Sequence, residues 1–202
     1  YSELYAYQVA QVMGVNAIRY TLTKDLKKTL CSKCELFTSK EYSYLPIGQL
    51  VPKGGMKAIR EYYMELGKPF VDALEDMLVF DAVICNTDRN LGNFGVLVDN
   101  KTNKIAAPAP LFDHGNSLFS LGGTDIWDDP KAFEEYAATL LPLAYDDFFA
   151  EAKSVLKPRH RVMLHKLLDF RFDRRATRYN LPPKRLKMIE KEVQRRARVL
   201  LG

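Results

Sequence analysis

Apolar residues recur every three or four positions from Leu4 to Met13, and the repeat ends at Gly14. Because glycine commonly terminates helices, this spacing predicts a helix over residues 2–13. Alternating apolar positions then predict two antiparallel strands, at 17–22 and 29–37, joined by a charged turn. A helix leading into two strands is therefore expected in the first part of the chain.

The middle of the chain is predicted to combine buried helices with one hairpin. Residues 39–55 are rich in turn-forming residues and are predicted to form a loop. Helical periodicity resumes at 56–66 and 70–85, and the second of these helices is apolar on several faces, which predicts that it is buried. Residues 94–98 and 104–106 flank a turn-forming segment and are predicted to pair as a β-hairpin.

Everything beyond about Pro130 is predicted to be helical, with prolines at the boundaries. The predicted helices cover residues 131–140, 145–156, 158–170 and 183–201. The expected architecture is thus a mainly helical body around a small hairpin, preceded by one helix and two strands.

The composition is that of a globular domain. The 202 residues are 47% hydrophobic and 27% charged, which is ordinary for a soluble fold. No apolar run approaches the roughly 18 residues of a membrane span, and no signal-peptide pattern is present, so a cytoplasmic protein without a membrane partner is expected. Cys31, Cys34 and Cys85 cannot all pair, which favours reduced thiols. Cys31 and Cys34 have the spacing of half a zinc site, but no second ligand pair follows.

The positive charge is concentrated near the C-terminus. Residues 151–202 carry 16 Lys and Arg against 5 Asp and Glu, whereas residues 1–150 carry 14 against 20. Clustered cations can bind nucleic-acid phosphates. No helix-turn-helix or zinc motif accompanies the cluster, so direct nucleic-acid binding is possible but not favoured over a solvated face or a partner surface.

Two polar segments flank the predicted hairpin. The loop Asn86-Thr-Asp88-Arg-Asn-Leu-Gly-Asn93 precedes it, and Asp113-His-Gly115 follows it. A hairpin returns the chain close to where it left, so Asp113 is expected beside Asp88 and Asn93. Carboxylate and amide oxygens suit Mg²⁺ together with phosphate oxygens. The set therefore predicts phosphoryl transfer, in which Asp88 accepts the proton of the attacking hydroxyl while Asn93 and Asp113 hold magnesium on ATP.

The order and spacing of these residues are those of a protein-kinase catalytic loop followed by a hairpin and an Asp-x-Gly segment. The longer string Asn-Thr-Asp-Arg-x-x-Gly-Asn-Phe-Gly, with Ala-Ala-Pro-Ala-Pro-Leu-Phe-Asp113 after it, resembles the HipA-like kinases, a family of bacterial toxin-type serine/threonine kinases. The chain departs from that family at Asn90, where its members commonly have histidine.

The resemblance implies further nucleotide-binding residues. Glu3 resembles the helix glutamate that pairs with a phosphate-binding lysine in that family, and the Glu35-Leu-Phe37 segment resembles the linker between the two lobes. It implies that the backbone at Glu35 and Phe37 hydrogen-bonds the adenine. The glycine-rich phosphate loop and the lysine strand of the family would precede Glu3, so the chain is expected to be a fragment or remnant of a kinase.

The resulting expectation is an α+β, protein-kinase-like fold. Residues 1–38 would form part of an N-lobe and the hinge, and residues 39–202 a helical C-lobe containing the catalytic hairpin. The expected partners are a protein substrate with a serine or threonine hydroxyl and an antitoxin-like protein. Two alternatives stay open: a small-molecule kinase of the aminoglycoside or choline type, and a non-catalytic pseudokinase that serves as a binding module.

Several other side chains have two interpretations. Arg89 is either a phosphate clamp or a member of a structural ion pair. Trp127 is expected to anchor a loop to the core rather than to form a docking patch. His114 is expected to pack or to face solvent rather than contact phosphate. His160 and His165 are expected on the surface of a basic helix.

Overall fold

The computed structural model describes residues Tyr1–Gly202, which form eight α-helices, five β-strands and one short 3₁₀ helix. The helices are α1 (Ser2–Met13), α2 (Ile47–Leu50), α3 (Gly55–Leu66), α4 (Lys68–Ile84), α5 (Pro130–Thr139), α6 (Phe148–Val155), α7 (Pro158–His165) and α8 (Pro183–Leu201). The strands are β1 (Tyr20–Lys24), β2 (Leu30–Cys34), β3 (Tyr42–Pro46), β4 (Gly95–Asp99) and β5 (Lys104–Pro108). The 3₁₀ helix spans Asp125–Trp127.

Helix α4 is the central element of the core. Every side chain from Met77 to Ile84 is at most 1% exposed, and α1, α3, α6, α8 and β5 all pack against this helix. A helix that is apolar on all faces must be covered on all sides. The prediction of a buried helix in this region is confirmed. The loop that follows α4 is therefore attached to a rigid element of the core.

Strands β1 and β2 form a separate antiparallel pair in which Tyr20 lies opposite Cys34. Helix α1 precedes them and ends at Gly14, which adopts the left-handed conformation (φ 82°) that favours glycine. The predicted helix and two strands are therefore present. The first strand runs from Tyr20 to Lys24 rather than over residues 17–22, and the second ends at Cys34 rather than at residue 37.

The predicted hairpin of β4 and β5 is confirmed, but it belongs to a three-stranded sheet of order β3-β4-β5. Strand β3 and the short helix α2 both lie within residues 39–55, which were expected to be a loop. Only five residues pair, the strand ends in Pro46, and its partner β4 is about 50 residues away. Local sequence therefore carries little signal for this strand, and long-range pairing determines it.

The β1-β2 pair is joined to the region after the hairpin through Leu111. The Ile18 N–H donates to the Leu111 carbonyl at 2.8 Å, and the Leu111 N–H donates to the Asn16 carbonyl at 2.9 Å. These two bonds lie two residues before Asp113. The segment that carries this carboxylate is thus fixed by two backbone hydrogen bonds just before Asp113.

The C-terminal region is helical as predicted, with shorter helices. Helix α6 begins at Phe148 because the Asp147 side chain caps it by accepting the Ala150 N–H. Helix α7 ends at His165, five residues before the expected boundary. No helix combines the length and the apolar character that a bilayer crossing requires.

Candidate active site

The loop after α4 is held by hydrogen bonds to the helix end and to the segment after Asp113. Cys85 ends α4 in the left-handed conformation (φ 52°), which turns the chain sharply. The Leu118 N–H donates to the Ile84 carbonyl at 2.7 Å, and the Thr87 N–H donates to the Asn116 carbonyl at 3.2 Å. The two polar segments that flank the hairpin therefore lie side by side, as expected from the sequence.

Asn93 links the two carboxylate-bearing segments. Its Nδ2 donates to Asp113 Oδ2 at 3.0 Å and to the Asp88 carbonyl at 3.3 Å. Both partners are acceptors, so the amide nitrogen must face them. The Asn93 Oδ1 oxygen is left without a hydrogen bond from the chain. Asp113 has a positive φ of 56°, a conformation that is uncommon outside glycine and is often found at functional sites.

Asp88 is oriented by a residue that sequence reasoning missed. Asn116 Nδ2 donates to Asp88 Oδ2 at 3.0 Å, and the Asp88 N–H donates to Asn86 Oδ1 at 3.2 Å. Oδ1 of Asp88 accepts no hydrogen bond within the chain. The carboxylate is thus fixed through one oxygen, while the other is available to a hydroxyl donor.

Arg89 is a fully buried member of a structural network. Its Nε and Nη2 donate to the two oxygens of Asp81, each at 2.9 Å, and both side chains are 0% exposed. Its Nη1 donates to the carbonyls of Asn93 at 3.1 Å and Phe112 at 2.8 Å. Burial lowers the pKa of Arg89 and the Asp81 carboxylate raises it, with a net rise. Of the two interpretations of Arg89, the structural ion pair is the one observed.

His114 is buried beside Arg89 and remains neutral. Its Nδ1 lies 3.1 Å from Arg89 Nη2, so Nδ1 is the acceptor and Nε2 carries the proton. Burial, together with the positive charge of Arg89, lowers the pKa of His114 well below its usual value. The ring packs edge-on against Phe80 at 5.4 Å. His114 therefore packs in the core, and it joins the Asp113 segment to the Arg89 network.

Two residues from the first part of the chain hold the Asp113 segment. Glu3 Oε2 accepts the His114 N–H at 2.9 Å, and the Tyr20 hydroxyl accepts the Asp113 N–H at 3.3 Å. Burial raises the pKa of Glu3, and the nearby negative charge of Asp113 adds to this rise. Glu3 forms no salt bridge within the chain. Tyr20 had no predicted role.

Glu35 and Phe37 line a cavity of about 510 Å³. The backbone groups of both residues form no backbone hydrogen bonds within the chain. The Phe37 ring packs against Phe112 at 5.1 Å, directly before Asp113. None of Asp88, Asn93 and Asp113 lines this cavity, so it lies beside the carboxylate cluster and is connected to it through the Phe37–Phe112 contact.

The oxygens of the cluster fit a magnesium site that phosphate completes. No group of three or more His, Cys, Asp and Glu side chains lies close enough to hold a metal ion by itself. The free Oδ1 atoms of Asn93 and Asp113 are hard oxygen ligands, and magnesium is usually bound by one or two carboxylates together with waters and substrate phosphates. Asn93 and Asp113 are therefore the residues that would hold this ion.

Comparison with known proteins gives a structural match alone. No protein-family model matches the chain. No curated protein matches it either. Among solved structures, the Helicobacter pylori proinflammatory kinase CtkA is similar with a TM-score of 0.69 and 16% identity, over 96% of this chain and 81% of that chain.

The chain has a kinase-like fold. The similarity to CtkA extends over nearly all of its residues, and the α+β class expected from the sequence is observed. At this level of identity the comparison establishes the fold. The HipA-like family, the division at residue 38 and the roles of individual side chains remain predictions.

The structure tests two further predictions, which concern side chains outside the carboxylate cluster. The predicted exposure of His160 is wrong, and the predicted burial of Trp127 is confirmed. His160 was expected at the surface and is 0% exposed. Its Nδ1 accepts the Lys157 N–H at the start of α7, and its Nε2 lies 3.0 Å from Asp76 on α4, so it joins the two helices. Trp127 is 8% exposed, which confirms the expected anchor to the core.

Three residues that support the site were not predicted from the sequence. Asp81, Asn116 and Tyr20 support the predicted site residues and lie outside the motif. Asp81 is the one carboxylate in the apolar stretch from Met77 to Ile84 of α4, which was the one available signal, because a buried charge needs a partner. Asn116 and Tyr20 are ordinary residues in sequence, and only the tertiary structure brings them to Asp88 and Asp113.

Proposed function

We propose that this chain is an ATP- and magnesium-dependent phosphotransferase of the HipA-like type, with a serine or threonine hydroxyl as acceptor. The observation that carries the proposal is the Asn93 amide, which joins the Asp113 carboxylate to the Asp88 backbone at 3.0 and 3.3 Å. The Asn93 amide and the Asp113 carboxylate are in direct contact, and the Asp88 carboxylate lies in the same loop as Asn93. Each of the three groups has one oxygen free. This is the set that phosphoryl transfer requires.

Asp88 is proposed to orient the acceptor hydroxyl and to take its proton. Its Oδ2 is occupied by Asn116, so Oδ1 is the atom that receives the hydroxyl. A positioned acid–base group of this kind contributes roughly 10²–10⁴-fold to rate. Asn116 keeps the carboxylate in place by holding the oxygen that does not react.

Asn93 and Asp113 are proposed to present their free oxygens to the metal–nucleotide complex. When bound, magnesium would neutralise charge on the phosphates that are being transferred. The chain's own contribution is rigidity. Arg89 binds the Asn93 carbonyl, and the Asp113 backbone is fixed by Tyr20. Such support lets a site act without reorganisation during the reaction.

The adenine is proposed to contact the backbone of Glu35 and Phe37. The free backbone groups there and a cavity of about 510 Å³ support this proposal, since ligand pockets typically measure about 300–1,000 Å³. Glu3 is proposed to orient the Asp113 segment through the His114 N–H. In the HipA-like kinases that the sequence resembles, the corresponding glutamate pairs with a phosphate-binding lysine.

The test is transfer of labelled γ-phosphate from ATP to a serine/threonine peptide mixture, with a parallel reaction on aminoglycoside and choline acceptors. The proposal is supported if wild type transfers phosphate to peptides and Asp88→Asn does so at least about 10²-fold more slowly. Asp169→Asn, which changes an exposed carboxylate, is the matched control and should retain full activity. Transfer to the small molecules alone would identify the chain as a small-molecule kinase.

A third outcome separates the enzyme from a binding module. If the folded chain transfers phosphate to neither acceptor class, the proposal of a phosphotransferase is wrong for this chain. The folded state of each variant is checked by near-ultraviolet circular dichroism, so that a loss of activity cannot be attributed to unfolding.

A further inference from the structure

Arg185 is a partly buried cation without an acidic partner. It forms no salt bridge, and its Nε–H is shielded from solvent yet donates no hydrogen bond. Burial lowers the pKa of Arg185, and only Tyr1 counteracts this effect. A desolvated charge costs free energy unless an opposite charge or hydrogen bonds compensate it. The environment of Arg185 therefore favours an added anion.

Stacking on Trp127 explains the orientation of Arg185 but not its unused donors. The guanidinium lies over the indole ring at 4.0 Å from its centre. Stacking uses the face of the guanidinium, whereas its N–H groups point outward in the plane. Trp127 Nε1 is likewise buried without an acceptor. Two neighbouring side chains thus each retain an unsatisfied N–H donor.

Arg185 lines a cavity of about 290 Å³ that contains no carboxylate. The other polar side chains of its lining are hydroxyl-bearing: Tyr1, Ser2, Tyr5 and Ser120. The cavity lies between α1, the segment after Asp113 and the start of α8. Its volume exceeds that of a tetrahedral oxyanion with bound water, and its polar lining consists of a cation and hydroxyl groups.

We propose that this cavity is a binding site for a phosphate-sized oxyanion, held by Arg185. The guanidinium fork matches the geometry of phosphate oxygens and can donate two parallel charge-assisted hydrogen bonds. The hydroxyl groups of Tyr1 and Ser2, which donate no hydrogen bond within the chain, can donate to the remaining oxygens. A bound anion would join the start of α1 to the start of α8 and would lie against the segment after Asp113. The site does not depend on the proposed nucleotide chemistry.

The experiment is calorimetric titration with inorganic phosphate and, separately, with glycerol 3-phosphate, at constant ionic strength and with a chelator present to exclude magnesium. Trp127 is the only tryptophan of the chain and stacks on Arg185, so its fluorescence reports binding at this site. Saturable binding is expected with a matching change in fluorescence. Binding of either anion supports the site, and the tighter of the two identifies free phosphate or a phosphate ester as its source.

Variants assign the binding to Arg185. Arg185→Gln should weaken it by at least about tenfold, because hydrogen bonds to a charged group contribute about 1.5–3 kcal/mol. Arg178→Gln is the matched control, since Arg178 also stacks on an aromatic ring, that of Tyr179 at 4.9 Å, but is exposed. Arg178→Gln and Asp113→Ala should both retain binding.

Two results would overturn the proposal. One is the absence of saturable binding by the folded wild-type chain at constant ionic strength. The other is equal affinity of wild type and Arg185→Gln, with thermal unfolding midpoints that phosphate raises equally in both. Arg185→Lys provides a second variant that keeps the charge, and it should bind more weakly than wild type because it lacks the fork.

Discussion

The Arg89 guanidinium and the Asp81 carboxylate form two parallel hydrogen bonds of 2.9 Å in the core, with both side chains 0% exposed. Asp81 lies on the central helix, and Arg89 follows Asp88 directly in the loop. The Nη1 group of Arg89 donates to the carbonyls of Asn93 and Phe112. One ion pair therefore sets the distance between the helix, the loop and the segment that carries Asp113.

Removing both partners of this pair should cost less free energy of unfolding than the two single removals added together. Arg89→Met leaves the Asp81 charge buried alone, and Asp81→Asn leaves Arg89 uncompensated, so each should lower the free energy of unfolding by about 3–5 kcal/mol. The double variant should lose clearly less than the sum of the two. Urea unfolding of the four proteins measures this coupling. Additive losses would mean that the pair does not act as a unit.

Gly95 is required by the close approach of β3. A Cβ at this position would lie 2.2 Å from the Leu45 carbonyl oxygen and 2.9 Å from the Pro46 Cα, both in the backbone. Gly95→Ala should therefore destabilise the fold by at least about 2 kcal/mol. Gly115→Ala is the control, because a Cβ there would meet nothing closer than 3.7 Å, and it should change stability by less than about 1 kcal/mol. Urea unfolding of both variants tests this contrast.

Asn116 should affect the rate of transfer rather than nucleotide binding. Asn116→Ala removes the hydrogen bond that fixes Asp88 Oδ2, which should lower kcat by about 10–100-fold, since hydrogen bonds to charged groups are worth about 1.5–3 kcal/mol. The KM for ATP should change little, because Asn116 forms no hydrogen bond with Asn93 or Asp113. Asn100→Ala, on an exposed turn, should leave both constants unchanged. An equal loss in ATP affinity would place Asn116 in nucleotide binding instead.

Much of the fold and the cluster itself could be predicted because their signals are local. Apolar spacing marks α1 and α4, and the turn residues 99–103 mark the hairpin that returns Asp113 to Asp88. Strand β3 pairs with a partner about 50 residues away, and His160 is buried by a contact with Asp76 on another helix. Such long-range pairings leave no periodic pattern, so sequence reasoning missed them.

The thiol of Cys85 should be inert in the native chain. Burial raises the pKa of Cys85 from 9.0 to about 11, and Cys34 is exposed. Iodoacetamide at pH 8 should therefore modify Cys34 readily and Cys85 only on unfolding, because the thiolate is the reactive form. Peptide mapping by mass spectrometry identifies the modified residue. Rapid native alkylation of Cys85 would contradict its placement in the core.

The raised pKa of Cys85 also makes the free energy of unfolding depend on pH. The folded chain keeps the Cys85 proton up to about pH 11, whereas the unfolded chain loses it near pH 9. The folded state therefore binds more protons between these values, and the contribution of Cys85 falls as pH rises across this window, by at most about 1.4 kcal/mol per pH unit. The difference between wild type and Cys85→Ala in free energy of unfolding should shrink accordingly.

Magnesium-dependent ATP binding is the most direct test of the carboxylate cluster. It is measured by calorimetry on wild type and on Asp113→Ala, with Asp128→Ala as a control that removes an exposed carboxylate, after all three are shown to be folded. We expect ATP to bind wild type and the control only with magnesium, and we expect Asp113→Ala to lose this binding. Binding of equal affinity in Asp113→Ala, or no binding by the folded wild-type chain, would contradict this expectation.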